Sequence, residues 1–224
     1  MNGEEKETRL QQELAHLRAR LLLMCATVSE AVAEVCAAMD DEDGRRAEAV
    51  IAGEAEVDAL ENEIDALIFS LLVRNQPVAQ DLRFVVASLR LVIDLERIGD
   101  EAASIAGRLL APSGLLPAPL REGIRPLADM AADFYRKAVE AFRAGNAELA
   151  LELSRSDDRS AKMEEEATQR VMDYIVSADK DAEQPRAEMR AILICRSLSR
   201  ICRRAANMGA HTYFIAWGIN LKHA

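Results

Sequence analysis

Apolar residues recur at steps of three and four along most of the chain. Between positions 45 and 74, Val50, Val57, Leu60, Ile64, Leu67 and Leu71 form one such stripe, the spacing of a single helix face. The same periodicity predicts six long helices, over about 6–40, 45–74, 78–110, 121–144, 146–178 and 186–220. Helix-stopping residues separate them: Asp40 to Gly44, Arg74-Asn75-Gln76-Pro77, the Pro-rich stretch from Ala111 to Pro119, Gly145-Asn146, and Asp179 to Pro185. The expected fold is all-α.

Three helices, a Pro-rich connector and three more helices describe a duplication. Leu95-Glu96-Arg97-Ile98 matches Leu198-Ser199-Arg200-Ile201 at an offset of 103 residues. The same offset places Glu54 on Asp157 and Glu61 on Glu164, and Ala-Glu-Ala-Val-Ile at 47–51 on Ala-Leu-Glu-Leu at 150–153. One offset shared by two helices is a repeat signal. The organisation predicted is a three-helix repeat over 1–110, a connector over 111–120 and a second repeat over 121–224, each repeat an antiparallel three-helix bundle with short turns.

Composition narrows the function classes. The 224 residues carry 28 basic and 38 acidic side chains, a net charge of −10. Nucleic acid and anionic lipid reward the opposite charge, so neither is expected as a partner. Cys25, Cys36, Cys195 and Cys202 form no CxxC pair, and the histidines are His16, His211 and His223; the thiols read as small core residues rather than a zinc or redox centre. The opening Met1-Asn2-Gly3-Glu4-Glu5 is acidic, and the apolar runs look shorter than the ~20 residues of a membrane span. A cytoplasmic protein is the expectation. There is no Walker loop, GxGxxG, nucleophile elbow or paired Glu-x-x-His, so no enzymatic equipment is visible.

Acidic rows interrupt the apolar ones. In the second helix Ala47, Ile51, Glu54, Asp58, Glu61, Asp65, Ile68 and Leu72 share a face, and four stacked acids repel one another. In the third helix the row Leu82, Val86, Leu89, Ile93 turns acidic at Glu96 and Asp100, with Asp94 and Glu101 beside it. A turn centred on Gln76 makes level positions add to about 152, so Glu54 falls level with Ile98 and Asp58 with Asp94. Glu54, Asp58, Glu96 and Asp100 would then lie within about a turn of each other. Such a set either binds a hard cation (iron, manganese, magnesium or calcium) or is a solvated acidic face tempered by Arg90 and Arg97.

Gln80-Asp81-Leu82-Arg83, Asp94-Leu95-Glu96-Arg97-Ile98-Gly99-Asp100 with Glu101 to Ala106 after it, and Arg74-Asn75-Gln76-Pro77-Val78-Ala79 before it, resemble the signature of the PhoU family. The resemblance covers nearly the whole chain. It implies a cytoplasmic negative regulator of phosphate-specific transport that is often dimeric and connects the transporter's ATPase subunit to a phosphate-responsive histidine kinase. It also implies metal clusters on Glu/Asp-x-x-x-Asp motifs, here Glu54-x-x-x-Asp58 and Glu96-x-x-x-Asp100, with Glu61 and Asp65 a third pair.

The second repeat departs from that pattern. It reads Ser199-Arg200-Ile201-Cys202-Arg203, so the acid positions have become Ser199 and Arg203, and Ala161 stands at the counterpart of Asp58. The degenerate site is therefore Asp157, Glu164, Ser199 and Arg203, with no metal expected. Instead Arg200, Arg203 and Arg204 are expected to neutralise Asp157 and Glu164, or else to form a basic surface stripe. The competing functions are a phosphate-regulatory adaptor, a metal-binding helical protein and a divergent dimeric interaction module.

Overall fold

The computed structural model describes residues 3–41, 43–111, 115–177 and 184–221. These form seven helices: α1 (Gly3–Ala38), α2 (Arg45–Asn75), α3 (Ala79–Leu109), α4 (Ala118–Ala144), α5 (Ala147–Ser154), α6 (Asp157–Ser177) and α7 (Gln184–Trp217). The all-α expectation holds, with one helix more than the periodicity suggested. The extra boundary splits the fifth segment at Arg155-Ser156. Asn146 caps α5 by accepting from the Glu148 and Leu149 amides, each at 3.1 Å. Ser156 then supplies the carbonyl that accepts from the Arg159 and Ser160 amides and starts α6. Of the connector, Pro112, Ser113 and Gly114 lie outside the described residues. α4 begins at Ala118, ahead of the expected 121, because Pro119 sits in the first turn, where a missing N–H costs nothing.

In the first repeat α1, α2 and α3 pack pairwise; in the second, α4, α6 and α7 do, with α5 laid on α4 and α7. Adding the offset of 103 carries α2 onto α5 plus α6 and α3 onto α7. The repeats join along two seams, α3 against α7 and α1 against α4. Leu17, Leu21, Leu91 and Ile98 from one repeat and Leu127, Phe134, Ile194 and Leu198 from the other belong to a single buried cluster. Tyr135 on α4 donates its buried hydroxyl to the Cys25 carbonyl at 2.9 Å, and Arg18 reaches the Phe142 and Arg143 carbonyls, both at 3.2 Å. The repeats are therefore two bundles around one core.

Two expectations about composition can now be placed. The stretch Thr8–Ala38 is long and apolar enough, by length and composition, to cross a membrane, contrary to the estimate from apolar runs. Its Leu17, Leu21, Met24, Val28 and Val35 are instead sealed into the protein core, which is the physical use this structure makes of them. No disulfide joins the four cysteines, which are thiols. Burial pushes Cys25 and Cys195 up to about 12 and Cys36 to about 11, which makes them poor nucleophiles and metal ligands.

Candidate functional site

The acidic face is built where α2 and α3 run antiparallel. Gln76 takes a left-handed conformation and the turn occupies Gln76 to Val78, so it is centred later than expected. The register follows. Centred on Pro77 rather than Gln76, the turn makes level positions add to about 154, half a helical turn beyond the expected value, and a Cβ placed on Gly99 would stand 3.3 Å from Val57 Cγ1. Glu54 stays close to the height of Ile98, in a cleft of about 200 Å3 that Gly99 also lines. Glu30, Glu34 and Glu56 share that cleft, over an apolar floor that includes Ala31, Val50 and Val57.

The shift brings Glu61 toward Glu96 and Asp100. Glu96, with its side chain only 16 % exposed, has its carboxyl pushed up to about 7, by burial first and then by the Asp100 carboxylate beside it, against the opposing pull of Arg97. Glu61 is also raised, by burial and then by Asp65 and Asp58. Arg97 spans the pair, with Nε 3.2 Å from Glu96 Oε2 and Nη1 donating to Asp100 Oδ2 at 3.2 Å. Asp58, Glu61, Asp65, Glu96 and Asp100 thus share one field, while Glu54 faces the neighbouring cleft. Among the described residues no three His, Cys, Asp or Glu side chains stand arranged to hold a metal ion. The chemistry of the donors still fits a hard cation, since the crowding that raises the Glu61 and Glu96 carboxyls is relieved by positive charge.

The second repeat differs at the same positions. Ser199 is buried and its hydroxyl donates to Glu164 Oε2 at 2.5 Å, so a neutral donor takes the place of an acid. The Asp157 side chain lies outside the described residues. Arg200 and Arg204 do not turn to their own repeat's Glu164 in the contacts described. Arg200 Nη1 donates to Glu101 Oε1 at 2.8 Å and Arg204 Nη1 to Asp94 Oδ1 at 3.0 Å. Both reach across the seam to α3. For Arg200 and Arg204 the packing of α3 on α7 supplies partners outside their own bundle; the expected pairing of Arg203 with Asp157 falls on a side chain outside the described residues. Arg203 is exposed.

That seam gives Asp94, set beside the acidic row in the sequence, partners from the other repeat. Asp94 is buried, and besides Arg204 it meets His211 Nε2 at 3.2 Å and Asn207 Nδ2 at 3.5 Å. A carboxylate only accepts, so a neutral His211 carries its proton on Nε2. Two signals were available: an acid in the buried row of α3 between Leu91 and Ile98, and Arg204, Asn207 and His211 at helical spacing on α7. Neither shows its meaning until the repeats are put together.

Comparison with known proteins places this geometry. The model of the PhoU domain matches twice, over residues 21–109 and 124–212; both ends of the second match follow the first by 103 residues. The chain is 31 % identical over 216 residues to the phosphate-specific transport system accessory protein PhoU homolog of Pseudomonas putida, covering 94 % of this chain and 82 % of that one. It is 25 % identical over 211 residues to the phosphate-specific transport system accessory protein PhoU of Escherichia coli strain K12, covering 94 % and 86 %. The crystal structure of PhoU from Pseudomonas aeruginosa superposes with a TM-score of 0.86 at 29 % identity, over 93 % of this chain and 99 % of that one.

Proposed function

The chain belongs to the PhoU family, and from that membership we propose that it is a cytoplasmic regulator of phosphate uptake and phosphate signalling. In this reading it works by binding, as a non-catalytic adaptor between the ATPase subunit of a phosphate transporter and a phosphate-responsive histidine kinase, and it acts as a homodimer. The observation that carries the reading is the pair of domain matches spanning both repeats, with relatives named as accessory proteins of phosphate-specific transport. The structure is compatible with it in one further respect. An adaptor needs two unlike faces held in fixed relation, and here an acidic α2–α3 face in one repeat is tied through a common core to a second repeat in which Ser199 and Arg203 replace the acids.

The test is recovery of tagged full-length protein from cells grown with abundant phosphate, with bound proteins identified by mass spectrometry. Recovery of the transporter ATPase and the kinase is expected. Recovery of neither would overturn the adaptor reading.

A second reading is favoured by the proton held on Glu96 up to about 7. Glu61, Glu96 and Asp100 would hold a hard cation, with Asp58 and Asp65 contributing charge. Such an ion would supply neutralisation of the face and nothing catalytic.

A further inference from the structure

A cleft of about 270 Å3 opens on the α3–α7 seam, with Arg90, Asp94, Arg204, Asn207 and His211 in its lining. Asp94 and His211 are its buried elements, at 3 % and 7 % exposure. Arg204 Nη1 and His211 Nε2 hold the two Asp94 oxygens, and Asn207 Nδ2 stands 3.5 Å from the one that Arg204 holds. Arg90 comes from the α3 side, with its guanidinium 6.0 Å over the Phe214 ring. Among the described residues it makes no ion pair with a carboxylate. The cleft therefore holds two guanidinium groups against one carboxylate, in a protein whose overall charge is −10.

Two arginines and an amide lining one small opening offer the hydrogen-bond donors and the positive charge that an oxyanion requires. The Asp94 carboxylate selects among oxyanions. It can only accept hydrogen bonds, so it repels an anion without a proton and accepts from one that carries an O–H. At neutral pH phosphate keeps a proton and sulfate does not. From this geometry we infer that the α3–α7 cleft binds inorganic phosphate in its protonated forms and rejects sulfate. Arg90 and Arg204 engage the phosphate oxygens, Asp94 accepts from its O–H, and His211 positions Asp94. A ligand held by Arg90 from α3 and Arg204 from α7 bridges the two repeats, so phosphate would tighten the seam between them. The inference stands apart from the adaptor reading, because binding of a small anion is measured without any partner protein.

The experiment is equilibrium dialysis of the full-length protein against radiolabelled inorganic phosphate, with sulfate and ATP as competitors. One saturable site per chain is expected. Arg90→Gln, at an exposed position, should weaken it at least tenfold with an unchanged melting curve, and excess sulfate should not displace phosphate from the wild type. Asp94→Asn should admit sulfate; if that variant does not fold, Arg90→Gln and the sulfate competition decide alone. Absence of saturable binding up to about 10 mM, far weaker than any ligand held by several charged hydrogen bonds, would overturn the proposal. So would equal competition by sulfate, unchanged binding in Arg90→Gln, or Arg90-dependent binding of ATP where free phosphate does not bind.

Discussion

Arg204 on α7 donates to Asp94 on α3 across 3.0 Å, so a buried carboxylate of the first repeat is held by a guanidinium of the second. Removing the carboxylate would leave Arg204 and His211 facing each other across the seam without their acceptor. Asp94→Ala should therefore destabilise the protein by about 2–3 kcal/mol, below the ~3–5 kcal/mol of a fully buried pair because Arg204 reaches solvent. Urea unfolding of the single variants and of Asp94→Ala with Arg204→Ala forms a double-mutant cycle. Strict additivity would show that the pair does not couple the repeats.

The Glu96 carboxyl, raised from 4.5 to about 7, makes a signed prediction. A carboxyl that binds its proton more tightly in the folded state stabilises that state as pH falls from 7 toward 4.5, and weakens it as pH rises through 7. Glu96→Gln removes this dependence. The variant should be more stable than wild type at pH 8, by about 1 kcal/mol after allowance for solvent screening, with the gap closing near pH 5. Thermal melts at both pH values check it; a gap that widened toward pH 5 would contradict the crowding described for this face.

If Glu61, Glu96 and Asp100 hold a cation, manganese should raise the melting temperature of the wild-type protein. At a hundredfold excess over its dissociation constant the ion would add about 2.7 kcal/mol. Glu96→Gln combined with Asp100→Asn should abolish the shift. Equal shifts in variant and wild type would assign the effect to other sites.

Gly209 on α7 lies where α5 crosses, and a Cβ there would stand 2.7 Å from the Ala150 carbonyl oxygen. Gly209→Ala must displace α5 and should cost about 1–3 kcal/mol. Gly53, in the interior of α2, has nothing within 4 Å of such a Cβ. Gly53→Ala should instead stabilise by about 0.5–1 kcal/mol through helix propensity alone. Denaturant midpoints of the two variants should move in opposite directions.

Much of the fold could be read from periodicity. The stripe from Val50 to Leu71 and its repeat 103 residues later carry information local to a helix or shared by copies, and that information survives without coordinates. The break at Arg155-Ser156 was hidden because it contains neither Gly nor Pro; its signal was a serine followed by two acids, an N-cap pattern inside an otherwise periodic segment. The acidic face was legible in its residue types, and its register differs from the expected one by about half a turn. Helix pairing depends on where the turn sits, and the turn lay at Gln76 to Val78 rather than on Gln76 alone. The partners of Arg200 and Arg204 were the least accessible. Glu101 and Asp94 lie 99 and 110 residues away in sequence, and their pairing is a property of how two bundles dock, which no pattern inside either bundle contains.

The central claim is that this chain regulates phosphate uptake as a member of the PhoU family. The most direct measurement is phosphate uptake in phosphate-rich medium by cells lacking the chain, with and without the full-length protein restored. The account predicts raised uptake in its absence and a return to the wild-type rate on restoration. Uptake that is the same with and without the chain would contradict it.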